Sequence, residues 1–141
     1  MQKGWSTTKR GFLLVEIILS SSLFILFLTA FAGVFYYGIQ ASSSAGDRAR
    51  AIMYAEEGQE ALRSLRNVSF SNLTVGTYGL VYSSSTWILS GSQDVSGIFT
   101  RQVTISTVDA NRKNAVVTVT WPQTANRTGS VSVSGRFTNW K

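Results

Sequence analysis

The hydrophobic pattern divides this chain in two. Residues 12–39 are almost continuously apolar ("FLLVEIILSSSLFILFLTAFAGVFYYGI"), and after Glu16 no charged residue occurs until Asp47. As a helix, residues 17–39 extend about 35 Å at 1.5 Å per residue, enough to cross a bilayer hydrocarbon core of about 30 Å. Residues 41–50 ("ASSSAGDRAR") are rich in Ser and Gly, which weaken a helix and leave room for a bend, within an amphipathic continuation of the same helix over residues 41–67. In residues 51–67, Ile52, Ala55, Leu62 and Leu65 recur at helical spacing, with Gln59 in the same stripe. Glu56, Glu57, Glu60, Arg63 and Ser64 surround that stripe. The pattern predicts an amphipathic helix to about Arg66, its apolar side covering a sheet.

The C-terminal part changes to a period of two. "FTRQVTISTV" (99–108), "AVVTVTW" (115–121) and "SVSVSGRFTNW" (130–140) alternate and are rich in Val, Ile, Thr and aromatic residues. Phe99, Val103 and Ile105 share one face, as do Val117, Val119 and Trp121, and Val131, Val133 and Phe137. The polar stretches 109–114 and 122–129 are hairpin connectors. An antiparallel meander with one apolar face follows. Residues 68–97 are a variable connecting region, with short strands expected at 80–82 and 87–89. The expected class is α+β, a long N-terminal helix packed on a C-terminal antiparallel sheet. Its parts are 1–11, 12–40, 41–67, 68–97 and 98–141.

Charge sharpens the N-terminal reading. The formal net charge is +6 in 141 residues, of which only 14% are charged. Lys3, Lys9 and Arg10 precede the apolar run, and this bias places the N-terminus in the cytoplasm. Tyr36 and Tyr37 suit the opposite membrane-water interface. Glu16 is the anomaly. A carboxylate in hydrocarbon is costly and is usually paired, here with a snorkelling Lys9 or Arg10 if with anything in its own chain. An ordinary signal anchor and a secretory signal peptide cut at "AFA" (30–32) both fit the hydropathy.

The stretch "KRGFLLVE" (9–16) distinguishes a third reading. Basic residues, a glycine, a phenylalanine, three apolar residues and a glutamate resemble the cleavage site of the type IV pilin family. The resemblance covers about thirty residues closely and the general layout more loosely. It implies that residues 1–11 are a leader, removed by a membrane prepilin peptidase between Gly11 and Phe12. The same peptidase would methylate the new amine of Phe12. Glu16 then matches the family's assembly glutamate, which would meet the Phe12 amine of a neighbouring subunit.

Lys9 and Arg10 match the leader charge. The implied product is a structural subunit of a type IV pilus or type II secretion pseudopilus. It would be held in the inner or cytoplasmic membrane by a single pass and then enter an extracytoplasmic filament. Its partners would be other such subunits and, before assembly, the lipid bilayer. The family's usual proline near the twentieth mature residue is missing. Gly33 and the run Ser20, Ser21, Ser22 stand as either soft points or close-packing residues. That departure favours a minor subunit. The alternative is a signal-anchored extracytoplasmic β-domain acting as a lone binding module.

Catalytic chemistry has little to work with. The chain has no histidine and no cysteine, so it lacks the usual parts of a nucleophile triad or zinc site. Neighbouring Glu56 and Glu57 diverge on a helix. Asp94 and Asp109 read as turn aspartates, with calcium at Asp94 as a remote alternative. An enzyme is not expected, and neither a cofactor nor a metal is implied. Arg101, Arg112, Lys113, Arg127, Arg136 and Lys141 give residues 69–141 a scattered basic surface. Only Arg112 and Lys113 adjoin, so a phosphate track for DNA has no support.

Overall fold

A computed structural model describes residues 8–124 and 126–140, with side chains from residue 13 onward. Lys3 and Lys141 lie outside the described residues. For Lys9, Arg10, Gly11 and Phe12 only the backbone is described, and it is helical.

The chain begins with one helix, α1 (Thr8–Val68), followed by a 3-10 turn (Phe70–Asn72) and six strands. These are β1 (Gly76–Ser83), β2 (Thr86–Ser90), β3 (Asp94–Ser96), β4 (Phe99–Asp109), β5 (Arg112–Thr124) and β6 (Arg127–Thr138). All strand pairs are antiparallel, in the order β2-β1-β4-β5-β6, with β3 paired to the start of β4. The architecture is α+β.

The expected continuation of the helix through residues 41–67 is present, because α1 is assigned as helix without interruption. The weak helix formers there and at Ser20, Ser21, Ser22 and Gly33 are outweighed by intact backbone bonding on both sides. The hydroxyls of Ser21 and Ser22 turn back to the Ile18 carbonyl, at 3.0 and 2.5 Å. One expectation about the helix is corrected. Ile52 is not in the buried stripe, being 36% exposed. Ala55, Gln59, Leu62 and Leu65 are buried as expected, but Ala51 takes the place of Ile52, and Gly58 and Ala61 join the stripe.

Residue size explains the shift. At Gly58 the sheet approaches so closely that an added Cβ would lie 2.9 Å from Val117 Cγ1 and 3.3 Å from Arg101 Cδ. Small residues at 51, 55 and 58 let the helix settle on the sheet, whereas Ile52 in that position would hold it away.

The sheet's alternation survives in the structure. Val103, Ile105, Ala115, Val117, Val119, Trp121 and Phe137 form one buried face, closed by Leu62, Leu65, Leu73 and Leu80. The opposite face is mostly Ser and Thr. Trp121 lies against Gly129, where any Cβ would strike the indole. The region expected as a variable connection does more than connect. Its strands β1 and β2 are longer than anticipated, and β3 was not anticipated at all. The β1–β2 turn places both Ser84 and Ser85 at positive φ, 51° and 61°. That is the mirror-image turn that matches hairpin twist, usually made with Asn and Gly.

The chain divides into two compact units, residues 1–43 and 44–141. The core described above belongs wholly to the second.

Candidate functional site

In the first unit, no apolar side chain from Leu13 to Ile39 is buried. Their exposures run from 47% at Leu28 to 73% at Tyr37. The helix is apolar on every side, a pattern that requires lipid or other protein around it. It is long and apolar enough to cross a membrane. Its hydroxyls do not spoil this. Ser21, Ser22 and Thr29 all donate to carbonyls three or four residues earlier, so their protons are satisfied within the helix. Phe27 and Phe31 stack at 6.4 Å on one side.

Glu16 stands out against that surface. It is exposed, and it makes no hydrogen bond or ion pair to any described residue. A carboxylate in this position needs a cation from outside its own described surroundings. Gly11 and Phe12 lie on the same helix, Phe12 one turn before Glu16.

The second unit holds a polar cluster that sequence reasoning missed. Arg101 on β4 is 2% exposed, directly under α1. Its Nη2 and Nε reach Asp94 Oδ2 and Oδ1 at 2.9 and 3.2 Å, and its Nη1 donates to the Tyr54 carbonyl at 3.2 Å. The guanidinium lies 3.9 Å from the centre of the Tyr54 ring. Tyr54 Oη donates to Asp94 Oδ2 at 2.5 Å, and the Leu80 amide donates to Asp94 Oδ1 at 2.9 Å. Glu57 adds a second carboxylate 3.8 Å from Arg101 Nη1. Gly79 makes room for this arrangement, since a Cβ there would strike the backbone of Gln93. Burial and the bond to Asp94 push the Tyr54 phenol up to about 12.

Two expectations are therefore corrected. Asp94 is not a turn aspartate but the first residue of β3, and Arg101 is not a surface cation. The signal was present in the alternation, because residue 101 falls between Phe99 and Val103 on the inward face. The cluster joins α1, β1, β3 and β4 through hydrogen bonds among its own members. It is built to hold elements together.

No family model, curated protein or solved structure matches this chain. The assignment of function rests on the residues themselves.

The remaining candidates are dispersed. Asp109 is the last residue of β4 and closes the β4–β5 turn, accepting from the Asn111 amide at 3.0 Å and pairing with Arg112. That bond holds the Asp109 carboxyl below its usual range and lifts Arg112 above its own. Lys113 Nζ is committed to the carbonyls of Phe70 and Leu73, at 3.3 and 2.6 Å. Glu56 and Glu60 are exposed on α1. Among the described residues, no group of three Asp, Glu, His or Cys side chains is placed to hold a metal ion.

Proposed function

We propose that this protein is a prepilin, a membrane-held subunit that is cleaved after Gly11, methylated at Phe12 and assembled through α1 into a filament. The observation that carries the reading is Glu16, a carboxylate with no partner among the described residues, in a helical segment (13–39) that is otherwise free of charge and exposed on all sides. It lies at the fixed spacing from Gly11 and Phe12 that the type IV pilin family uses. An apolar helix with one carboxylate serves poorly as a simple anchor. The same helix serves well as a strut packed among copies of itself.

Hydrolysis of the Gly11–Phe12 bond releases the leader and frees a cationic amine on Phe12. When α1 of one subunit lies beside α1 of another, the amine of one faces Glu16 of the other. A buried ion pair contributes little net stability, because desolvation offsets the attraction. Its use is to set register, since only one axial offset neutralises both charges. The apolar side chains supply the packing energy, at about 25 cal/mol per Å² removed from water. Before assembly the same surface rests in the bilayer, N-terminus in the cytoplasm. The filament is a type IV pilus or a type II secretion pseudopilus, with this chain as a minor subunit. Catalysis forms no part of this role.

The test is the mass and N-terminal sequence of the membrane-extracted protein, co-expressed with a prepilin peptidase. A start at Phe12 with one added methyl is expected. A start at Gly33, or an uncut chain while a control substrate is processed, overturns the reading. Glu16→Ala should be cleaved normally yet fail to enter filaments, measured by pelleting sheared filaments. Undiminished incorporation removes the register role.

A further inference from the structure

The sheet has a long free edge. β6 (Arg127–Thr138) pairs with β5 on one side and, among the described residues, with no strand on the other. By strand geometry, alternate backbone N–H and C=O groups point to the open side. Proteins shield such edges with proline, charge, a bulge or a very short strand. Residues 128–135 ("TGSVSVSG") have none of these. They carry no proline and no charge, and the register with β5 is regular from Thr128 to Thr138. Val131, Val133 and Gly135 are half-buried, as expected of an edge missing its next neighbour.

Helix α1 forms a wall beside this edge. Met53, Glu56, Glu60 and Arg63 line a groove of about 630 Å³ with Val133 and Gly135. Gln59 joins wall to floor, its Nε2 donating to the Val133 carbonyl at 2.8 Å. Gly135 allows this, since a Cβ there would strike the Gln59 amide.

We propose that the β6 edge is a strand-addition site for an extended segment of a partner protein with Lys or Arg at alternate positions. Charge selects that pattern, because Glu56 and Glu60 both line the groove beside β6. Glu56 and Glu60 are one helical turn apart, about 6 Å along the axis. Alternate residues of a strand are about 6.8 Å apart and point to the same side. A strand added to β6 beside this groove would place every second side chain on the same side of the sheet as the two glutamates. Glu56 has no ion-pair partner among the described residues, and Glu60 shares only the exposed Arg63 at 3.1 Å. The third acid on this wall, Glu57, is drawn toward Arg101. A second copy of β6 would offer Ser and Val at the matching positions, so charge favours a different chain.

The experiment uses the intact chain in detergent micelles and a short fluorescent peptide alternating Val and Lys. Binding is expected, with slowed amide exchange in residues 128–135. The double variant Glu56→Gln/Glu60→Gln should weaken it about tenfold or more. N-methylating the amides along one edge of the peptide, which keeps its charge, should abolish it. No binding of the Val-Lys peptide overturns the proposal. So does equal binding of the N-methylated peptide or of a Val-Glu peptide. The chain has no cysteine, so Ser132→Cys reports on self-pairing directly. A disulfide-linked dimer through that residue would assign the edge to a second copy and overturn the proposal.

Discussion

At the scale of single residues, Arg101 and Asp94 decide the most. A buried guanidinium with its carboxylate costs a great deal to break and contributes modestly while intact. Arg101→Ala leaves Asp94 in the core with only Tyr54 and the Leu80 amide, and should lower stability by about 3–5 kcal/mol. Urea titration of the variant checks this, and an unchanged midpoint would show that water replaces the guanidinium. Tyr54 gives a pH signature. Its phenol ionises near 12 in the folded protein, against 10.0 for a free tyrosine. The folded state therefore holds that proton more tightly than the unfolded state does. Its contribution is complete below pH 10 and is lost between pH 10 and 12. Tyrosinate absorbance should show one phenol titrating late, and Tyr54→Phe should remove it.

Elements are held by close approach and by turn chemistry. The helix meets the sheet through Ala51, Ala55 and Gly58, where small size matters more than hydrophobicity. The β1–β2 hairpin shows the reverse, a turn whose geometry its residues do not favour. Ser84 and Ser85 both adopt left-handed backbone, which costs a non-glycine residue about 1–2 kcal/mol. Ser85→Gly should raise stability by about 1 kcal/mol, read as a shift in the denaturation midpoint without a change in slope. The alternating stretches made β4, β5 and β6 legible from sequence, because a face that packs and a face that does not impose a period of two. β3 was not legible. Its three residues are too few to show a period, and it is held by Asp94 rather than by its own propensity.

For the whole molecule, the division between residues 1–43 and 44–141 separates an exposed apolar helix from a unit with its own packed core. Among the described residues, every buried apolar side chain belongs to the second unit, from Ala51 onward. A fragment of residues 44–141 should therefore fold in water without detergent and unfold cooperatively. Circular dichroism with a thermal melt checks this, and a molten or aggregated fragment would show that the apolar segment is needed for folding.

The sequence by itself determined the apolar helix, the position of Glu16 within it and the alternation of the last three strands. Each is a local pattern, set by the repeat of one element against one environment. Only the tertiary structure decided that Arg101 is buried, that Asp94 begins a strand, that Ile52 yields its place to Ala51, and that β6 is left as an edge. The physical reason is distance along the chain. Arg101 bonds to a carbonyl 47 residues away, and whether a charge is buried depends on what covers it. No local pattern carries that information, although the inward register of residue 101 pointed toward it.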